Sequence, residues 1–356
     1  MTLPELEFLV QEHDLPRFRA RQIYHWLYAG RAASFDEMTS LGKGLRTELA
    51  SWGTIETLTL LDTQESADAT LKFLFRTLDG YNIESVLIPS EARDDQDEPR
   101  RRTICLSTQV GCPLDCRFCA TASMKMKRSL SAGEILAQFM LVERRVAETI
   151  TNVVYMGMGE PMLNYDAVFR SVDIFTDPGN RLVSARHITI STAGFPDAIR
   201  RMADEGRKVK LAISLHALTN GMRSDLMPIN KRHDLKSLMG AVEYYYRRTR
   251  LPLTYEYILF DGWNDSQADV QRLARITRRV PSRVNVIPFH PIDFVNPTGV
   301  AAQLRPTTPE RFNAFIDALR QNGVQVMVRS SSGRDIDAAC GQLAIRHEAA
   351  TLVAAD

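Results

Sequence analysis

Five cysteines are spread over 356 residues, and three of them crowd into one ten-residue stretch, Gly111-Cys-Pro-Leu-Asp-Cys-Arg-Phe-Cys-Ala120. Cys112, Cys116 and Cys119 stand there in a C-x3-C-x2-C spacing. Three thiolates this close in a loop can hold an iron–sulfur cluster of the four-iron, four-sulfur (4Fe-4S) type, which ordinarily takes four cysteine ligands. Cys105 and Cys340 lie apart from the run, so one iron is left without a protein ligand. An open metal position is where a molecule can bind and react. The rival reading is structural zinc, which prefers paired Cys and His units that close four ligands. No second pair is present and no His lies near the run.

The bulk composition narrows the class. Hydrophobic residues make up 44% of the chain, enough for one large domain with a small one attached. The 44 basic residues nearly balance the 43 acidic ones, so any nucleic-acid site must be a local patch. An odd number of cysteines in a chain this long, three of them assigned to metal, argues against a disulfide framework. The first residues show no basic region followed by an apolar run, and no apolar run approaches the length of a membrane span. The expectation is a cytoplasmic protein in a reducing compartment, with no membrane partner, acting as a monomer.

The elements that must position the cysteines follow in order. Residues 1–50 read as a helical accessory domain, with Leu3, Leu6, Leu9 and Val10 on one face and Phe18, Ile23, Trp26 and Leu27 on another. Residues 51–98 read as a β-rich extension. Its clearest strand is Thr70-Leu-Lys-Phe-Leu-Phe-Arg-Thr77, followed by an Asp79-Gly80 hairpin turn and a returning strand that carries Glu84. Glu91 to Arg102 is a polar, charged loop. Residues 99–335 form the core, in which strand, loop and helix repeat, beginning with a strand over Thr103–Val110 that feeds the cysteine loop. Ser131-Ala-Gly-Glu134 is a capping box opening a helix over 135–147. Residues 336–356 form a C-terminal segment. About six strand–helix units imply a parallel α/β sheet curled into an open, partial (β/α)6 barrel, whose chemistry gathers at the C-terminal strand ends.

Several of those strand ends carry small or polar residues. One ends Met156-Gly-Met-Gly-Glu160-Pro, where Gly159 lets backbone approach a ligand and Glu160 can accept from an ammonium group. An ordinary glycine turn is the plain alternative. Others end in Ser191, in Ser214-Leu215-His216, and in Ile287-Pro-Phe-His290-Pro291. A His at such a place is as well explained as a hydrogen-bonded core residue. Cys105, on a strand, fits a small buried side chain as well as a reactive one. Cys340, beside Gly341 in a polar stretch, is better read as a reactive thiol.

The C-x3-C-x2-C run with Phe118 before its last Cys resembles the signature of radical S-adenosylmethionine (radical SAM) enzymes. In that superfamily the open iron binds the amine and carboxylate of SAM, which is then cleaved to a 5′-deoxyadenosyl radical. The resemblance is closer to one family. Thr103–Cys112, Asn152–Pro161, Ala212–Ala217, Pro228–Lys231 and Asp335–Leu343 are similar to the motifs of the RlmN/Cfr family of adenosine-methylating radical SAM enzymes, and nearest to its RlmN branch. The similarity spans about residues 15–345.

That resemblance implies the rest of the expectation. The fold is a radical SAM barrel with a small N-terminal helical domain, and the activity is methylation of adenosine carbon 2 in 23S ribosomal RNA and in tRNA anticodon loops. The cofactors are a 4Fe-4S cluster on Cys112, Cys116 and Cys119 and two SAM molecules per turnover. Cofactor binding falls to Gly159, Glu160, Ser191, Ser214, Leu215, His216 and His290. The family's usual residue at the last of these positions is Asn, so His290 is a departure. Catalysis falls to Cys340, which takes a methyl from the first SAM, to Cys105, which resolves a transient protein–RNA bond and ends in a disulfide with Cys340, and to Glu84 as proton acceptor. The partners are 23S rRNA, tRNA and an electron donor such as flavodoxin with its reductase.

Carbon 2 of adenine is electron-poor, so a radical route through a thioether suits it better than polar methyl transfer. Basic runs that could meet RNA phosphates are Arg100–Arg102, Lys125–Arg128, Lys231-Arg232 and Arg247-Arg248, of which Lys125–Arg128 follows the cysteine loop most closely. Two alternatives remain: methylation at carbon 8 of the same base, as in the Cfr branch, and a non-catalytic iron–sulfur or zinc RNA-binding protein.

Overall fold

A computed structural model describes residues 1–90, 101–180, 182–292, 295–328, 336, 342–345 and 347. The charged loop expected over 91–102, apart from its last two residues, and Cys340 itself lie outside the described residues.

Three helices open the chain: α1 (Leu3–Glu12), α2 (Phe18–Tyr28) and α3 (Lys43–Trp52). Three antiparallel strands follow: β1 (Leu58–Glu65), β2 (Leu71–Thr77) and β3 (Asn82–Pro89). β2 and β3 turn at Asp79-Gly80, where Gly80 takes φ +89°. β4 (Arg102–Cys105) pairs antiparallel to β3 on one side and joins a parallel series on the other.

The strand expected to run unbroken over 103–110 stops at Cys105 and resumes only as the short β5 (Gln109–Val110), paired with β6 (Arg128–Ser129). The side chain of Gln138 takes the place of a strand partner there. Its Oε1 accepts from the Ser107 N–H at 2.9 Å, and its Nε2 donates to the Ser107 carbonyl at 3.0 Å. Gln138 lies on α4 (Ala132–Val146), which the Ser131 and Glu134 capping box starts as expected.

Beyond α4 the strand–helix alternation continues through β7 (Asn152–Tyr155), α5 (Tyr165–Thr176), β8 (Ile188–Thr192), α6 (Pro196–Asp204) and β9 (Lys210–Ser214). Next comes α7 (Asn220–Leu226), a short helix that the sequence pattern does not announce. It is followed by α8 (Leu235–Thr249), β10 (Leu253–Leu259), α9 (Gln267–Thr277), β11 (Ser282–Pro288), α10 (Pro309–Gln321) and β12 (Val326–Val328).

One ten-stranded sheet runs β1-β2-β3-β4-β7-β8-β9-β10-β11-β12. From β4 onward every pairing is parallel, as the repeating pattern requires. The parallel series has seven members, of which the last, β12, is only three residues long and forms the edge. The N-terminal helices do not form a separate core. Leu6, Val10, Ile23 and Leu49 belong to the same buried cluster as Leu136, Phe139 and the barrel strands.

Candidate active site

The cysteine loop is folded tightly. Gly111 takes φ +73°, and a Cβ there would come within 2.5 Å of the Met124 carbonyl. The Cys119 N–H donates to the Cys116 carbonyl at 3.1 Å, and the Arg117 N–H donates to the Leu226 carbonyl on α7 at 2.9 Å. Cys112, Cys116 and Cys119 all line one cavity of about 300 Å³. Burial pushes the Cys112 thiol up to about 12 and the Cys116 thiol well above its usual range, with the neighbouring thiols adding to both effects. Such thiols ionise only when a cation meets them, which is what bound iron supplies. Among the described residues no three His, Cys, Asp or Glu side chains converge as around one metal ion. A four-iron cluster asks for less convergence, because each thiolate takes a different iron.

The expected SAM-binding residues gather on the same cavity. Gly159, Glu160, Ser191, Ser214, His216 and His290 line it; Leu215 does not. Leu215 is buried, with its N–H donated to the Glu256 carbonyl and its own carbonyl taken by Arg223. His290 is exposed at the rim. Gly159 takes φ +98°, and a Cβ there would meet the Gln109 Cβ at 2.5 Å.

Glu160 is buried and aimed by backbone. Its Oε1 accepts from the Met162 N–H at 3.0 Å and its Oε2 from the Ala193 N–H at 2.8 Å. Burial nevertheless pushes its carboxyl up to about 7, since those amides only partly offset the lost solvation. A cation placed against it would pull that value back down.

His216 sits in the left-handed region at φ 52°. Its Nδ1 accepts from the Ile258 N–H at 3.1 Å, its ring lies edge-on to Phe118, and burial lowers its pKa to about 3. It is neutral, and its proton is on Nε2. Glu256, missed in the sequence, also lines the cavity and accepts from Asn285 Nδ2 at 2.7 Å.

Cys105 and Glu84 are not among the lining residues of that cavity. They share a neighbouring face. Leu74 lies opposite Glu84, Lys72 opposite Val86, and Val86 opposite Cys105, so Lys72, Glu84 and Cys105 project to one side. Cys105 is in turn opposite Val154. The neighbour Tyr155 points out to α5, where its hydroxyl meets Ser171 Oγ at 2.6 Å, so this shared face is the barrel interior. Lys72 Nζ is 2.9 Å from Glu84 Oε2, and the Ala344 N–H donates to Glu84 Oε1 at 2.5 Å.

Of the basic runs, Lys125 and Lys127 are exposed, but Arg128 is engaged. It forms a bidentate pair with Asp79 at 2.6 Å and 2.6 Å and reaches Glu134 at 2.7 Å and 3.0 Å. It ties the hairpin tip to the start of α4, so its charge is shared with two carboxylates. Arg102 pairs with Glu148, and Arg248 with Asp204 at 3.4 Å. Among the described residues no helix is long and apolar enough to cross a membrane.

Residues 106–274 match the model of the radical SAM superfamily, and residues 1–55 match that of the ribosomal RNA large subunit methyltransferase N-terminal domain. A crystal structure of a radical SAM methyltransferase from Sphaerobacter thermophilus superposes with a TM-score of 0.88 at 42% identity, covering 96% of this chain and 97% of that one. A Thermotoga sp. protein described as a probable dual-specificity RNA methyltransferase RlmN is 43% identical over 347 residues, covering 97% of this chain and 96% of its own. One from Salinibacter ruber, described in the same words, is 41% identical over 345 residues, with 95% and 91% covered.

The chain belongs to the RlmN family of radical SAM methyltransferases. RlmN-family membership implies a 4Fe-4S cluster and SAM. The half-buried thiols of Cys112, Cys116 and Cys119, gathered on one cavity, fit the cluster. The carboxylate of Glu160 and the neutral donor of His216 fit the amine and an acceptor group of SAM.

Proposed function

We propose that this protein methylates carbon 2 of adenosine in 23S rRNA and tRNA, with the methyl group carried on Cys340. When bound, the cluster and SAM supply an electron, from an external donor such as flavodoxin, and a radical that removes a hydrogen atom. The remaining work falls to this chain's own residues. Cys340, having lost its thiol proton, accepts a methyl from one SAM as a thioether with S-adenosylhomocysteine as leaving group and, after loss of a hydrogen atom, joins that carbon to the adenine. Glu84 takes the proton displaced from carbon 2, while the unpaired electron left on the ring would return to the cluster that had supplied one. The Cys105 thiolate then attacks the Cys340 sulfur, so an S–S bond forms while the sulfur–carbon bond breaks and the released carbon takes up a proton.

The observation that carries this reading is the Ala344 N–H held on Glu84 at 2.5 Å. Ala344 follows Cys340 by four positions, and Glu84 projects from the same interior face as Cys105. The likeness to relatives described as dual-specificity RNA methyltransferases supports the substrate class. Nucleoside mass spectrometry of 23S rRNA and tRNA from cells lacking the protein tests it. Loss of 2-methyladenosine from both, restored on complementation, is expected. Loss of 8-methyladenosine alone would assign the Cfr-type reaction instead.

A further inference from the structure

Arg223 is the largest fully buried side chain among the described residues. It projects from α7, and its guanidinium donates to four oxygens: the carbonyls of Ala193 at 2.5 Å, Ser214 at 3.1 Å and Leu215 at 3.3 Å, and Asn230 Oδ1 at 3.1 Å. All four acceptors are uncharged. They hold the cation in place without neutralising it, and a buried charge left in that condition is costly. Burial accordingly lowers its pKa to about 10, against the opposing influence of Cys116.

The surroundings identify what completes it. Leu226, at the end of the same helix, accepts the Arg117 N–H from inside the cysteine loop at 2.9 Å. Cys116 and Phe118 pack against a buried apolar group that includes Ala193, Leu226, Met227 and Ile229. Ala193 and Ser214, whose carbonyls Arg223 grips, line the cavity that the three cysteines share.

We propose that Arg223 is a positioning residue that supplies the fixed positive counter-charge for the cluster held by Cys112, Cys116 and Cys119. A four-iron core of charge two-plus on three thiolates is already a net anion, and one electron from an external reductant adds a second negative charge. A guanidinium clamped on carbonyls of residues that line the same cavity favours the more negative form, and so raises the tendency of the site to accept that electron. The inference rests on the cluster assignment.

The test compares Arg223→Gln, which keeps amide donors but no charge, with Arg223→Lys, which keeps charge but loses the fork. Each is reconstituted anaerobically with iron and sulfide and titrated with dithionite under electron paramagnetic resonance. The expected result is a more negative midpoint potential in Arg223→Gln and a value near wild type in Arg223→Lys. An unchanged potential in Arg223→Gln, or an equal shift in both variants, overturns the proposal. Where Arg223→Gln does not fold, Arg223→Lys decides: wild-type iron content and potential support the counter-charge, and a lowered potential overturns it. Wild-type protein that takes up no iron and sulfide overturns the cluster assignment and this inference together.

Discussion

Lys72 Nζ lies 2.9 Å from Glu84 Oε2, with the two side chains 0% and 3% exposed. Glu84 uses its other oxygen for the Ala344 N–H, 260 positions away in sequence. Leu343 and Ala344 are themselves buried in the main core. The ion pair is therefore a seat for the segment that follows Cys340. Replacing Lys72 by Met removes one partner of a buried ion pair, which costs about 3–5 kcal/mol. The expected result is a lower melting temperature and faster amide exchange over 342–345, read by hydrogen–deuterium exchange. Unchanged exchange there, in a variant that does melt lower, would show that the pair stabilises the strands but does not seat the segment.

Glu160 gives a pH dependence with a defined sign. Its carboxyl is raised to about 7, so the charged form needed to meet an ammonium group prevails only above that pH. SAM affinity is expected to weaken as pH falls from 8 to 6, at roughly tenfold per pH unit once the carboxyl is protonated. Glu160→Gln should bind weakly and without that slope. Isothermal titration across this range measures both, and an equal slope in the variant would move the titrating group elsewhere.

What could be seen in the sequence was whatever lay close together along it. The cysteine spacing, the glycines before Glu160 and the alternation of strands and helices are local signals, and the structure places them on one cavity. Lys72 was not visible because Leu71-Lys-Phe-Leu-Phe-Arg76 reads as a strand with its charges on a wet face. That face is covered by residues more than 250 positions later, which no period of two can report. Arg223 was hidden for a related reason. It lies in the seven-residue Asn220-Gly-Met-Arg-Ser-Asp-Leu226, polar enough to pass for a loop, and its partners are carbonyls at the ends of other strands. The early end of β4 depended on the side chain of Gln138, which propensity does not count as a strand partner.

Cys105→Ala separates bond formation from release. With the resolving thiol gone, the link between Cys340 and RNA should form and persist. The expected outcome is an RNase-sensitive shift on a denaturing gel, with turnover reduced by two orders of magnitude or more, on the order of a lost catalytic group. Normal turnover without an adduct would remove Cys105 from the reaction and return it to the role of a small buried side chain.

His216 allows the fold and the ligand to be tested apart. Its φ of 52° is tolerated by few side chains, Asn among them, and its Nδ1 satisfies the buried Ile258 N–H. Alanine at this position would strand that amide and strain the backbone, at a cost of about 1–3 kcal/mol. Asparagine can keep the left-handed turn and offer its Oδ1 to Ile258, yet it has nothing where Nε2–H stood. His216→Asn is therefore expected to melt close to wild type while SAM affinity falls about tenfold, the loss of one good hydrogen bond in a dry site. Because burial lowers the imidazole to about 3, wild-type binding should show no step from this residue between pH 5 and 8. An Asn variant that binds SAM as tightly as wild type would make His216 a structural residue of the β9 strand end, and the contact to SAM would then fall to Ser214 and Glu160.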